Sequence, residues 1–359
     1  MCGDPATKGR EKGRGAAANP PNRFEARHIE IDPAEWVDAD DLSPTATELI
    51  ADHSRSLIAT NDSPDVGFDA SINPYRGCEH GCAYCYARPF HEYLGYSAGL
   101  DFETKILYKP DAPELLRKEL ASPKWVPRML ALSGVTDAYQ PAERKLGLTR
   151  RCLRVLADFR NPVGIVTKGA LVVRDTDILA ELASFQAVTV CMSVTTLDRG
   201  LSRALEPRAS LPEQRLRAIE ALANCGIPVG VFVAPVIPGL NDHEIAGIIE
   251  SAADAGARFA SHILVRLPGA VSGLFEAWLE THTPERRDRV LNRLRAMRGG
   301  KLNDPRFGHR MRGDGPLAEA ISALAENARR RFGLRRVPEP LATTHFRVPG
   351  AERQLSLFA

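Results

Sequence analysis

Val163-Gly-Ile-Val-Thr-Lys168, Thr176-Asp-Ile-Leu-Ala-Glu-Leu-Ala-Ser184 and Val188-Thr-Val-Cys-Met-Ser-Val194 form the stretch on which the fold turns. Two short, β-branched, almost wholly apolar runs flank a segment of helical length and spacing. Strands buried on both faces read this way, and a helix between two of them implies a parallel pair with a right-handed crossover. Working outward, Met129–Val135, Val229–Ile237 and Phe259–Leu267 repeat the strand pattern, and Glu143–Phe159, Pro212–Cys225 and His243–Ala255 repeat the helical one. Pro212 suits a first helical turn, and Cys225-Gly226 suits a helix stop. About six such units over residues 71–267 give an α/β fold, a partial (β/α)6 TIM-like barrel with its working end at the strand C-termini.

The flanks read differently. Residues 1–25 are rich in Gly, Ala, Pro and basic side chains and read as a disordered N-terminus. Residues 26–70 form a polar wrap with short apolar stretches. After Leu267 the pattern turns helical, through Leu274–Glu280, Pro284–Met297 and Leu317–Phe332, giving a C-terminal helical extension over 268–336 and a polar tail over 337–359.

Composition excludes several classes. The 359 residues are 44% apolar and 26% charged, as in an ordinary globular chain. The longest apolar runs fall well short of the roughly 20 residues that span a bilayer. No apolar stretch follows the basic N-terminus, so no secretory signal is expected and the protein reads as cytoplasmic. The net charge of +2 hides an asymmetry: residues 286–336 hold 15 Lys+Arg against five Asp+Glu, a balance of +10, leaving −8 elsewhere. Arg287, Arg295, Arg298, Arg310 and Arg312 are candidates for sequence-tolerant phosphate contacts with DNA, the alternative being a solvated helical face.

Of seven cysteines, three fall in Cys78-Glu-His-Gly-Cys82-Ala-Tyr-Cys85. Gly77 and Gly81 permit a tight loop around a bulky ligand. Thiolates bind iron–sulfur clusters or zinc. Structural zinc would want a fourth ligand such as His80 or His91, whereas a cluster held by three thiolates leaves one iron open. Cys2, Cys152, Cys191 and Cys225 are scattered, so no second cluster is expected, and Cys191 reads as a core residue.

The C-x3-C-x2-C spacing, with an aromatic before the last Cys and a barrel pattern behind it, resembles the radical S-adenosylmethionine (SAM) superfamily. That resemblance implies a [4Fe-4S] cluster on Cys78, Cys82 and Cys85, SAM as second cofactor, and an electron donor not identified by the sequence. Ser71-Ile-Asn-Pro-Tyr-Arg-Gly-Cys78, Gly226-Ile-Pro-Val and Pro235-Val-Ile-Pro-Gly-Leu-Asn-Asp242 are similar to the spore photoproduct lyase-like branch. GRGAAANPPNRFE near the start and MRGGKLNDPRFG near the end resemble an uncharacterised bacterial family within it.

By resemblance, Lys168 contacts the SAM carboxylate, with Arg208 as a second candidate. Ser193 reaches its ribose or methionine end. Ile237 and Gly239 lie against the adenine, and Tyr84 lies beside cluster or adenine. The usual Gly-Gly-Glu segment for the SAM amine is missing, and Ser133, Thr136 or Asp137 could stand in. The branch's lyase takes a cysteine hydrogen donor from this neighbourhood, but this chain has none from Tyr86 through Gln140. Literal spore photoproduct repair is therefore not expected. Tyr139 is a candidate hydrogen relay, with a packed loop aromatic as the alternative.

Gln354-Leu355-Ser-Leu357-Phe358 resembles the bacterial sliding-clamp peptide, Leu357 and Phe358 filling apolar pockets and Gln354 bonding at the rim. The sequence thus points to a radical SAM enzyme acting on nucleic acid, in DNA repair or modification. The alternatives are modification of RNA, protein or a metabolite, or a zinc-stabilised adaptor without catalysis.

Overall fold

A computed structural model describes residues 13–24, 46–132 and 134–350. Ten strands occur among them: β1 Glu48–Ala51, β2 Ile58–Thr60, β3 Ala70–Ile72, β4 Tyr75–Arg76, β5 Lys105–Tyr108, β6 Leu130–Leu132, β7 Val163–Thr167, β8 Val188–Val194, β9 Val229–Val236 and β10 Phe259–Leu264. The main sheet runs β10-β9-β8-β7-β6-β3-β2. All its pairs are parallel except the β2–β3 edge, so six parallel strands build an open, partial barrel. All seven residues of β8 are buried, as a strand covered on both faces requires. A second sheet, β1-β5-β4, carries the chain to the cysteine loop.

The helices are α1 Asp101–Thr104, α2 Ala112–Leu120, α3 Glu143–Leu146, α4 Leu148–Phe159, α5 Thr176–Ser184, α6 Arg199–Leu205, α7 Pro212–Asn224, α8 Ile245–Asp254, α9 Val271–His282, α10 Pro284–Ala296 and α11 Pro316–Arg331. β7, α5 and β8 match the strand, helix and strand expected from the opening stretch, with Lys168 just past the end of β7. The single helix expected over Glu143–Phe159 is two helices, broken at Gly147 with φ 61°. The buried Glu143 carboxylate accepts the amides of Thr149 and Arg150, 2.9 and 3.3 Å away, satisfying first-turn donors of α4.

Two boundaries need correction. The C-terminal segment is not one extension. Ala318, Ile321, Ala325 and Ala328 of α11 join the main core, so α11 closes the barrel's helical layer. α9 and α10 instead cover a second apolar cluster holding Tyr84 and Ile237. The N-terminus is not wholly disordered: residues 13–24 are a docked arm. Its small residues, which gave it nothing to bury, let its backbone lie flat against the cysteine loop.

Candidate cofactor site at the strand C-termini

The cysteine loop follows β4, and its shape depends on two left-handed glycines, Gly77 (φ 77°) and Gly81 (φ 65°). A Cβ on Gly81 would come within 2.5 Å of the Glu103 carboxylate. Gln140 braces the loop from below, accepting from the Glu79 amide at 2.9 Å and donating to the Gly77 carbonyl at 3.2 Å.

Arg88, wholly buried, holds the other side. Its Nε and Nη2 donate to the Cys82 carbonyl (3.1 and 2.9 Å), its Nη1 donates to the Ala98 and Gly99 carbonyls, and its Nη2 also pairs with Glu103. Every guanidinium donor is therefore used. Glu103 then accepts the amides of Gly15 and Ala16 at 2.9 and 2.8 Å, which fastens the N-terminal arm over the loop. Arg88, Glu103 and the arm escaped the sequence reading, because only the fold brings positions some ninety residues apart together; the GRG run ahead of the Asn-Pro-Pro turn was the available signal.

The three thiols lie close enough to disfavour one another's ionisation. Burial, the largest cause, pushes all three up, and Lys168 opposes it at Cys82 and Cys85. Buried thiols of this kind become ligands when a cationic group shares their site. This donor set fits an iron–sulfur cluster. Of the histidines that could complete a zinc site, His80 pairs through Nδ1 with Asp137 at 3.4 Å, and His91 packs edge-on against Phe102.

Lys168 lies where the end of β7 was expected to place it, its Nζ 5.9 Å from the Tyr84 ring centroid. Tyr84 is buried with its hydroxyl donated to Glu206 and Thr195 Oγ1 3.1 Å away. Glu206 forms a buried ion pair with Arg215, which also donates to the Ser193 and Ser210 carbonyls at 2.9 and 2.7 Å. Burial alone would raise the Glu206 pKa, but Arg215 and Lys168 outweigh it and keep the carboxylate ionised. This Tyr84–Glu206–Arg215 group was missed, because its acid and base come from a loop and a helix with no motif spacing. Ser193 is buried in β8, and Ile237 is packed with Tyr84 and Leu205.

The other candidates have different surroundings, and of them Asp137 lies against Cys78. The Arg208 guanidinium is held by Glu79 (3.0 Å) and Thr47 (3.2 Å), clamping the outside of the cysteine loop. Gly239 is left-handed (φ 92°), but a Cβ there would meet Arg293 and Arg289 of α10 at 3.3 and 3.4 Å, so its close approach is to that helix. Tyr139 is a core residue whose phenol faces Asp175 and Glu143, and burial raises its pKa far above the usual range. The packed-aromatic alternative describes it better than a hydrogen relay. Of the stand-ins for the SAM amine, Asp137 is already engaged by His80, Thr167 Oγ1 (2.6 Å) and the Lys168 amide (2.7 Å), which hold it well below the carboxylate range despite its burial. Thr136 donates to the Tyr75 carbonyl at 3.3 Å, and Ser133 lies outside the described residues.

A parallel partial barrel with a braced three-cysteine loop at its strand C-termini, and a lysine among the thiols, defines an enzyme that works through a cysteine-ligated cofactor. The chain belongs to the radical SAM superfamily, whose family model matches residues 72–252. When bound, that family's [4Fe-4S] cluster supplies the electron that cleaves SAM to a 5′-deoxyadenosyl radical, and Cys78, Cys82 and Cys85 are the residues that would hold it. The non-catalytic adaptor alternative falls with this membership. An uncharacterized Mycobacterium tuberculosis protein is 37% identical over 232 residues, 63% of this chain and 68% of that one. A Methanocaldococcus jannaschii protein is 32% identical over 173 residues, 48% and 62% of the respective chains. In fold, the chain is similar to a cysteine-to-serine mutant of spore photoproduct lyase, with TM-score 0.58, 17% identity, and 80% and 81% of the two chains covered. A second lyase mutant, with bound AdoMet and dinucleoside spore photoproduct, matches at TM-score 0.59 and 15% identity over 80% and 81% of the two chains.

Proposed function

We propose that this radical SAM enzyme acts on nucleic acid, in repair or modification of DNA. The observation that carries the reading is the shared fold with an enzyme whose structure has AdoMet and a dinucleoside spore photoproduct bound, spanning four-fifths of both chains. In this reading Lys168 meets the SAM carboxylate and Ser193 its ribose or methionine end. Ile237 packs near the adenine from behind Tyr84. Asp137 is occupied by its own network, so the SAM amine takes another partner. The reaction is not spore photoproduct reversal itself, because no cysteine from Tyr86 through Gln140 can return a hydrogen atom.

Gln354, Leu355, Leu357 and Phe358 lie outside the described residues and enter as a proposed sliding-clamp peptide that brings the enzyme to replicated or repaired DNA. Among the described residues no helix is long and apolar enough to cross a membrane.

The decisive experiment is anaerobic reconstitution with iron, sulfide, SAM and a reductant, in the presence of ultraviolet-damaged DNA. Formation of 5′-deoxyadenosine together with an altered base supports the proposal. 5′-Deoxyadenosine with unaltered DNA moves the substrate to RNA, protein or a metabolite. In a clamp pulldown, Leu357→Ala/Phe358→Ala is expected to abolish capture, and undiminished capture removes the recruitment step.

A further inference from the structure

The arginines of residues 286–336 divide sharply once their partners are known. Arg287 is held by Glu280, Glu276 and Asp288, Arg293 by Asp242, Arg306 by Asp304, and Arg329 and Arg330 by Glu326. These are ion pairs on the outside of the protein, Arg329 and Arg330 sharing one carboxylate, and they have less to offer a phosphate than an unpaired arginine. The basic run therefore overstates the free positive charge.

Three arginines near the cysteine loop share a single bonded carboxylate. Arg266, two residues beyond the end of β10 and outside the basic run, lies over the Tyr86 ring at 5.5 Å. Tyr86 directly follows the third ligand cysteine. Among the described residues no carboxylate hydrogen-bonds Arg266: its Nη1 is 4.0 Å from the Met311 sulfur, and its buried Nε has no acceptor. Arg298 is buried nearby, donating to the Val265 and Leu302 carbonyls, again with an unpartnered Nε and no bonded carboxylate. Arg310 completes the group. It is the one of the three with a carboxylate, Asp65, and it stacks on Phe307 at 4.5 Å. Burial first, and then this mutual proximity, lowers the pKa of Arg266 and takes that of Arg298 down to about 10. An anion seated among them would relieve both costs.

Two observations choose the anion's class. Arg266 and Arg310 are each paired with an aromatic that remains half in solvent, Tyr86 at 43% and Phe307 at 56% exposed. Exposed aromatic faces beside guanidinium groups suit unstacked bases on a phosphodiester backbone, whereas an acidic peptide has no use for the rings. The group also adjoins the cysteine loop through Tyr86.

We infer that Arg266 and Arg310, with Tyr86 and Phe307 and with Arg298 buried behind them, form the site that holds the phosphodiester backbone of a single-stranded or flipped-out nucleotide at the mouth of the barrel. The inference rests on the nucleic-acid reading above; it keeps Arg298 and Arg310 of the basic run and adds Arg266 and Tyr86 from outside it.

The test uses the full chain reconstituted anaerobically and a short fluorescein-labelled single-stranded oligodeoxynucleotide, followed by anisotropy across a salt series. Arg266→Ala is expected to weaken binding about tenfold and to lower the slope of log K against log salt by about one. Arg266→Lys keeps the slope and weakens binding less, which separates charge from packing. Arg287→Ala, a neutralised arginine, leaves affinity and slope unchanged, and thermal melting of each variant checks its fold. Unchanged binding in Arg266→Ala overturns the inference. So does equal competition by polyglutamate, which would reassign the site to an acidic peptide. Formation of 5′-deoxyadenosine by the wild type with SAM and reductant, without DNA, is measured separately. Its failure sinks the radical reading, whereas failure of the anisotropy series alone sinks only the site.

Discussion

Gly15→Ala adds one methyl group at the tightest point of the arm. A Cβ there would stand 1.6 Å from the Gly81 carbonyl oxygen and 2.8 Å from its carbon, both backbone atoms of the cysteine loop. Neither can move without disturbing Cys78 and Cys82, so the arm has to leave. Departure breaks the Gly15 and Ala16 amide bonds to Glu103, worth about 1.5–3 kcal/mol each as hydrogen bonds to a charged group. It returns about 1–2 kcal/mol of backbone entropy for each of the four residues from 13 to 16. The two sums, about 3–6 against about 4–8 kcal/mol, nearly cancel, so the remaining contacts of Arg14, Asn19 and Asn22 decide whether the arm stays. A clash of this size tips such a balance. Limited trypsinolysis reads the result: cleavage after Arg14 should accelerate at least tenfold, the equivalent of about 1.4 kcal/mol. The global melting temperature should change little, because Glu103 keeps Arg88. Iron retained per reconstituted chain on exposure to air should fall as the loop loses its cover. Cleavage after Arg14 at the wild-type rate would refute the account of the arm as a cover fitted to Gly81.

Two further outcomes follow from buried charge. Glu206→Gln leaves Arg215 charged and unpaired in the interior, expected to cost about 3–5 kcal/mol in chemical denaturation, while the double variant Glu206→Gln/Arg215→Met should recover part of that loss. Recovery of nothing would mean that the pair does not act as a unit. His91 has its pKa lowered to about 4 by burial, against about 6.5 when unfolded. The unfolded chain thus binds the extra proton first, so stability of the apo protein is full above about pH 6.5 and declines toward pH 4, by about 3 kcal/mol at most. Denaturation midpoints between pH 7 and 5 should show the decline and His91→Phe should flatten it; a flat wild-type profile contradicts the assignment.

The barrel was legible because its strands are covered on both faces. Val163–Thr167 and Val188–Val194 bury nearly every side chain, so apolar content and length sufficed to mark them. β2 and β3 were not legible. At three residues each they carry no period, and the neighbouring strand defines them. The break at Gly147 was hidden for a related reason: Glu143–Phe159 keeps helical spacing across it, and the capping carboxylate of Glu143 acts through a turn that spacing does not record.

For the site, the local motif was enough to give the cofactor class and to propose three cysteines as its ligands. Thiolate spacing within eight residues is a property of the chain itself. Lys168 was readable too, since the residue after a parallel strand points to the barrel's working end. What braces that site was beyond the sequence. Arg88 and Glu103, the arm from Gly13 to Phe24, and the Tyr84–Glu206–Arg215 group join positions far apart in the chain by burial and hydrogen bonding. Charge was the property most changed by folding. The sequence counted +10 over residues 286–336, but a count cannot say which guanidinium already has a carboxylate. Tertiary structure paired several arginines of that run with carboxylates and left Arg266, from outside it, with no hydrogen-bonded carboxylate among the described residues. Coulomb energy depends on distance in space, which the order of residues along the chain does not specify.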